Sequence, residues 1–579
     1  MRALRQYCDL RTFGLRQADV RFDPVADSFQ DILERLAPWR PDVVIVRDAE
    51  YYPLPFGIDQ APVPVVALVG DWNVCYTTYA GLLRRFDLLL TDRAGEDVLR
   101  RDGVERVQFF PLYGFDPELH RPAGGGPKKY DVAVVANLNQ AIHGRRARLL
   151  YRLASLPPKY RIRIDTELYG EAYVRLLQSA ELVFNCSVRG ELNMRSFEAP
   201  ACGAVLLLES DNLECGSLFV DGEHLFLYDE ETLDKVVATA LADRRRLRQV
   251  RERMNWALQR HSYAERAKAL VQLLREFVAG KRRDPGEESP GGAWRDWARY
   301  YLGIPHPSCL LKARQILEQH VREEPVHLWT IAGIVAHLAA KTGGYEQEQL
   351  LSEAQSTAGQ ARHEFGVSMA GAYNVATGFW ACRRATEAHR FLEMCRNEGS
   401  PRDPLLQNGF VIPGTYGDFR MLWQRAWTQN AGREADRARD AERVIHGHVN
   451  HLLGEIAFQE GRFEEAARFW LEAVRRVPEV AETRHHLACA QWKLGERWAA
   501  YENLRQCLQI NPFHFPAWFD SVRMLAALGR WQELDDFVRQ RLSVVRRIPP
   551  YAEAGLQLSA LWRSLRPQNR GKVSAYSAA

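Results

Sequence analysis

Three glycines constrain the second half of this chain more than any other feature. Gly461, Gly495 and Gly529 stand 34 residues apart, and Pro478 with Pro512 and Ala466 with Ala500 keep the same step. A fixed period of that length marks stacked supersecondary units, each too small to bury its own apolar face. Small residues let two antiparallel helices approach closely, and the proline stops the second helix of each pair. Three units follow, at 447–480, 481–514 and 515–548, with a capping helix and tail over 549–579.

Before residue 280 the pattern is different. Short aliphatic runs, PDVVIV (41–46), VPVVALVG (63–70), FDLLLTD (86–92), YDVAVVA (130–136), ELVFNC (181–186) and AVLLLE (204–209), alternate with amphipathic stretches such as RRARLLYRLASL (145–156). Apolar runs bounded by turn or charged residues suit strands covered on both faces of a parallel sheet, so the alternation predicts α/β architecture. The stretch HRPAGGGPKKY (120–130) divides these runs into two series and predicts two Rossmann-like domains, 1–122 and 123–280. Ligands of such sheets sit at the carboxyl ends of the strands. A charged, Pro- and Gly-rich stretch, GKRRDPGEESPGGAW (280–294), reads as a linker over 281–296. Beyond it, 297–430 is helical in period, with room for degenerate repeats, and is interrupted by GSPRDPLLQNGFVIPGTYGDF (399–419). The predicted fold is α/β and then all-α.

Composition removes several classes. Lys+Arg 77 against Asp+Glu 73 leaves +4, with no basic excess to suggest a nucleic-acid partner. No apolar run approaches the ~20 residues of a membrane span, and charge breaks every apolar stretch near the start, so neither a span nor a secretory leader is expected. Ten cysteines lie scattered without a CxxC pair. That pattern fits free thiols in a reducing cytoplasm better than a zinc framework or disulfide scaffold, and no metal is expected.

The segments LNMRSFEAPACGAVLLLE (192–209) and LFVDGEHLFLYDEETL (218–233) resemble the second Rossmann domain of GT-B glycosyltransferases, most nearly the spore-maturation (CgeB-like) branch of the group-1 enzymes. Residues 66–122 resemble the end of their first domain, and the likeness covers roughly 20–275. It implies transfer of a sugar from a nucleotide-sugar, UDP- or GDP-linked, to an acceptor, without a metal. By this resemblance Glu198 grips the ribose, and Arg195 and Asn193 face the donor phosphate and sugar. Arg145 and Arg146 open a helix after the first strand of the second domain, where a diphosphate should sit. Gly203 permits close approach of the backbone. Many members carry two acids as E-x7-E; here Glu191 and Glu198 are separated by six residues, so Glu191 is off register. The general base expected is Asp71 in VALVGDWN, with Asp48 and Glu50 as rivals. The first domain is short, which predicts an unusual acceptor side or one completed by the helical half.

Taking Gly447 as position 1, the markers Leu453, Gly454, Gly461, Ala466, Trp470, Ala473 and Pro478 resemble the tetratricopeptide repeat (TPR) pattern. In such arrays the first helices line a groove. That places Phe458, His485, Trp492, Phe519 and Arg523 on a surface for a protein or glycan acceptor. The Asn that peptide-gripping repeats often place at position 6 is replaced by Leu452, His486 and Asp520. Two further readings remain: a scaffold of the same fold without catalysis, and an epimerase acting on the sugar-nucleotide. The linker predicts that a fragment 1–285 keeps donor binding, unless the helices form a wall of the catalytic half.

Overall fold

The computed structural model describes residues 2–124, 126–280, 292–304, 306–398, 403–413 and 417–566. Most of the predicted linker and parts of the 399–419 insertion therefore lie outside the described residues. The chain forms two compact units, each assembled from two distant stretches: Met1–Leu112 with Ala267–Val477, and Tyr113–Arg266 with Pro478–Ala579. This grouping follows packing, whereas the boundaries at 122, 280 and 447 follow sequence pattern.

The first unit holds a four-stranded parallel sheet of β1 (Val44–Arg47), β2 (Val65–Val69), β3 (Leu88–Thr91) and β4 (Val107–Phe109), in that spatial order. The helix Tyr76–Leu83 beside it is buried at every residue. A helix apolar all round has to be covered on every side. Later helices of the same unit cover it. Gln424 accepts from Thr77 N–H and donates to Thr77 Oγ1, both at 2.9 Å. A Cβ at Gly303 would lie 2.0 Å from Thr78 Oγ1, so only glycine allows that approach. The short first α/β region is thus completed by helices from the second half. Further along, Leu328–Ala339 and Met369–Ala381 cross closely, because a Cβ at Gly371 would meet the Trp329 side chain at 2.4 Å.

The second unit holds a five-stranded parallel sheet of β5 (Tyr130–Val135), β6 (Ile162–Asp165), β7 (Ala180–Phe184), β8 (Val205–Glu209) and β9 (Phe226–Tyr228), in the order β9-β8-β7-β5-β6. Its apolar runs are buried on both faces by strict alternation. Val132, Val134, Phe184 and Leu207 face one core, which includes the helix Gln140–Ala154. Ala133, Val135, Val183 and Leu206 face the other, with Phe197, Leu177 and Met254. The first of these cores continues without a break into Trp518, Val522, Leu525, Val538 and Val544 of the C-terminal helices. The edge strand β6 is also covered: Ile164 N–H donates to the Arg547 carbonyl at 2.8 Å. Covering an edge removes its unpaired amides. The C-terminal helices therefore pack as a wall of the second sheet, the alternative that the sequence left beside a separable fragment 1–285.

The repeat period has a direct structural cause. Gly461, Gly495 and Gly529 each have positive φ (78°, 81° and 70°) and end the first helix of a pair. The second helices stop at Arg476 and Ile510, two residues before Pro478 and Pro512. At Gly454 a Cβ would sit 2.6 Å from Trp470 Nε1, which is why this position is small. The C-terminal half is a run of such paired helices, Ala481–Lys493 with Arg497–Ile510 and Phe515–Ala527 with Trp531–Val545, closed by Ala552–Leu565. Among the described residues no helix is long and apolar enough to cross a membrane.

Candidate active site

The strand order of the second sheet reverses between β5 and β7, and a crevice opens at the carboxyl ends of strands at such a point. Two loops meet there: the one after β5, opening the helix Gln140–Ala154, and the one after β7, leading into the helix Arg195–Ala201. Asn185, fully buried at the end of β7, ties the second loop together. Its Nδ2 donates to Asn193 Oδ1 and Ser196 Oγ, both at 3.1 Å, and its Oδ1 accepts from Arg195 Nη1 at 2.8 Å. Tyr228 hydroxyl donates to its carbonyl at 2.6 Å. Asn193 and Arg195 are thereby held as one unit.

The charges that act on His143 are positive. His143 sits at a break in its helix (φ −122°, ψ 39°). Burial pushes its imidazole down to about 3, and the guanidiniums of Arg146, Arg195 and Arg189 add to the shift. It is therefore neutral near pH 7. Buried polar atoms around these loops lack a hydrogen-bond partner among the described residues, among them His143 Nδ1, Arg195 Nε, Gln140 Oε1 and Glu209 Oε2. A buried donor left unsatisfied costs about 1–3 kcal/mol, so such atoms at a strand-end crevice point to a ligand.

Glu198 is buried on the same helix as Arg195. Tyr173 hydroxyl donates to its Oε2 at 2.8 Å, and His120 Nε2 lies 3.7 Å from its Oε1. Burial raises the carboxyl, opposed by His120, Tyr173 and Arg195. The remaining expected donor residues have other partners. Arg145 is clasped by Asp211 at 2.8 Å and Glu230 at 3.1 Å. Arg146 is buried and donates through Nε to the Cys186 carbonyl at 3.0 Å, which fixes the end of β7. Gly203 (φ 79°) turns the chain out of the helix Arg195–Ala201, and a Cβ there would press on Pro122 at 3.3 Å. Glu191 accepts from Arg189 N–H at 2.8 Å and closes its own loop.

In the first unit the three candidate bases separate clearly. Asp48 is half-buried, has φ 56° and pairs with Arg47 at 3.0 Å. Asp71 accepts from Tyr51 hydroxyl at 2.6 Å. Glu50 is only 2% exposed and accepts from Gly70 N–H at 2.9 Å. Burial pushes its carboxyl up to about 7, with Asp71 and Asp48 adding to the rise. A carboxyl of that kind exchanges protons near neutrality. Its loop is held by Tyr300, whose hydroxyl lies 2.9 Å from the Tyr52 carbonyl and accepts from Leu54 N–H at 3.1 Å. Tyr301 hydroxyl donates to the Leu54 carbonyl at 2.8 Å.

The expected groove residues are distributed. Phe458 belongs to the first unit and packs inside its own helix pair against Phe463 and Trp470. His485 and Arg523, in the second unit, converge on Asp520 at 2.9 and 2.7 Å. Trp492 and Phe519 are each half-buried against neighbouring helices. Sequence reasoning passed over Asn185, Arg189, Tyr173 and His120. Only the strand order, which pairs β5 with β7, distinguishes Asn185 from any other Asn after a strand.

Residues 132–272 match a protein-family model described as glycosyl transferase-like. This stretch is a glycosyltransferase-like domain. It spans β5 to β9 and carries His143, Tyr173, Asn185, Asn193, Arg195 and Glu198, whereas His120 lies outside it. Among solved structures, the sucrose-phosphate synthase of Thermosynechococcus elongatus is 12% identical over 44% of this chain and 77% of its own, with a TM-score of 0.34. The pneumococcal O-GlcNAc transferase GtfA, solved with UDP and GlcNAc, is 13% identical over 44% of this chain and 60% of its own, with a TM-score of 0.32. The TPR2AB domain of yeast Sti1 is 14% identical over 40% of this chain and 98% of its own, with a TM-score of 0.20. At these TM-scores the likenesses are recorded as similarities alone. No curated protein matches the sequence.

Proposed function

We propose that the protein transfers a sugar from a nucleoside-diphosphate donor, UDP- or GDP-linked, bound at the β5/β7 crevice of the second unit. The observation that carries this reading is the pair of buried, unpartnered polar atoms, Arg195 Nε and His143 Nδ1, in a field set by three arginines. A diphosphate supplies the missing acceptor and the negative charge, and a guanidinium stabilises it further as it becomes the leaving group. Arg195 and Asn193 face the diphosphate and sugar, and Glu198 with Tyr173 takes the ribose hydroxyls. Arg146 acts from behind by fixing the end of β7, and Arg145 joins two loops rather than holding phosphate. For the acceptor hydroxyl we assign the proton-accepting role to Glu50 rather than Asp71, because burial pushes the Glu50 carboxyl up to about 7. The acceptor is a protein or glycan recruited through the helical half, and the reaction takes place in the cytoplasm.

The test is calorimetry of the full chain with UDP, GDP, ADP and their sugar conjugates, followed by assay of transfer. One nucleoside diphosphate should bind, and Arg195→Gln should weaken it about 10- to 100-fold, the scale of one charged hydrogen bond. Absence of binding by every nucleotide would end this reading. Binding without sugar release or transfer under any condition would favour the scaffold.

A further inference from the structure

Away from the donor crevice, two helices bring three unlike ligand atoms together. His485 and Cys489 stand one turn apart on Ala481–Lys493, and Asp520 lies on Phe515–Ala527. His485 Nε2 is 2.9 Å from Asp520 Oδ2 and 3.7 Å from Cys489 Sγ, and that sulfur is 3.8 Å from Asp520 Oδ2. A proton relay through histidine uses its two ring nitrogens for two different partners. Here a single nitrogen faces both, while Nδ1 is buried without a hydrogen-bond partner among the described residues. The atoms close a triangle and do not form a chain.

That triangle has nearly the edges of a coordination face. With Zn–N and Zn–O of about 2.0–2.2 Å and Zn–S of about 2.3 Å, a tetrahedron has N···S and O···S edges of about 3.6 Å and an N···O edge of about 3.4 Å. The two sulfur edges agree within about 0.2 Å, and the histidine–aspartate edge needs to open by about 0.5 Å, a small carboxylate rotation. The carboxylate is already oriented from outside, since its Oδ1 accepts from Arg523 Nη1 at 2.7 Å. Outer partners of that kind accompany metal-ligating carboxylates. The neighbouring Glu482 is taken up by His514 at 2.6 Å and His486 at 3.0 Å, a charged network whose Glu482 and His514 atoms also lie within 4.8 Å of a His485 ring nitrogen.

We propose that His485, Cys489 and Asp520 form a three-ligand site for a thiolate-accepting divalent cation of the zinc class, with its fourth position open. One sulfur, one imidazole and one carboxylate select such an ion over magnesium or calcium, which take oxygen. Binding displaces the thiol proton to solvent, and the ion joins the first helices of two successive repeats. The second of these helices also supplies Trp518, Val522 and Leu525 to the core of the second sheet. The spacing rule that finds zinc sites in a sequence misses this one, because its ligands come from two helices 31 residues apart at Cys489 and Asp520.

The experiment uses the untagged full chain, stripped with a chelator and titrated with zinc against a chromophoric competitor, then with cobalt(II). One equivalent should bind, and cobalt should show the absorption of a tetrahedral ion with a sulfur charge-transfer band. Cys489→Ala should abolish that band and weaken zinc by more than the roughly 10- to 100-fold that loss of an outer partner costs. Cys8→Ser should change neither. In the unaltered protein, zinc should protect Cys489 from alkylation, read by mass spectrometry; this arm stands even if the variant fails to fold. Cobalt without a sulfur band, or alkylation of Cys489 unaffected by zinc, would overturn the assignment.

Discussion

Replacing Arg547 by methionine tests whether the C-terminal helices hold up the second sheet or merely lie against it. The guanidinium reaches the last carbonyls of the helix Gln140–Ala154 and the turn that follows: Nη1 donates to Ala154 O at 2.9 Å and Leu156 O at 2.5 Å, and Nη2 to Pro157 O at 2.9 Å and Tyr160 O at 3.2 Å. A cation at a helix C-terminus also favours the dipole. Methionine keeps the apolar stem and removes only the donors. The group is partly exposed, so water replaces the outer Nη2 bonds, and the two Nη1 bonds dominate. At roughly 1–1.5 kcal/mol each, the loss is about 2–3 kcal/mol. It should be local. Amide hydrogen exchange in residues 150–165, which end that helix and enter β6, should quicken by about 30- to 160-fold, the equivalent of that energy. Exchange in the first unit should not change. If exchange over 150–165 matches the unaltered chain while Arg547→Met folds, the clasp contributes nothing and the wall is passive.

A fragment 1–285 should precipitate or bind dyes specific for exposed apolar surface, because it lacks Trp518, Val522, Leu525, Val538 and Val544 from the core of the second sheet. A soluble, nucleotide-binding fragment would show the two parts to be independent after all. Glu50 makes two opposite pH predictions. Transfer should fall as pH drops through about 7, since the buried carboxyl then holds its proton, and Glu50→Gln should remove transfer while leaving nucleotide affinity intact. Stability runs the other way. The folded chain binds the extra proton between about 4.5 and about 7, so folding weakens as pH rises through that window, by up to about 3 kcal/mol. Glu50→Gln should flatten that slope in chemical unfolding, and an unchanged slope would remove Glu50 as its origin.

Much of the architecture was readable from residue order alone. Six of the nine strands coincide with the apolar runs, because a strand covered on both faces tolerates few polar interruptions; β4, β6 and β9 are short or charge-broken and gave no such run. The 34-residue step was readable for a local reason: a left-handed residue must end each first helix, and glycine takes that conformation at least cost. Arg195, Asn193 and Glu198 were also nameable, since they lie within six residues on one loop and helix. What no local pattern contained was pairing between distant parts. The order β9-β8-β7-β5-β6 makes Asn185 a hub and brings His143 beside Arg195. Glu50, Asp71 and Asp48 are alike in sequence, each near a strand end. Only packing buries Glu50, and burial is what moves its carboxyl. The C-terminal helices read as a free-standing solenoid because their period closes each repeat on the next. Their outer apolar residues, Trp518 and Val538 among them, have to be covered by something, and the tertiary structure decided that it is the second sheet. Period and alternation report on neighbours along the chain; burial, charge fields and shared cores depend on neighbours in space.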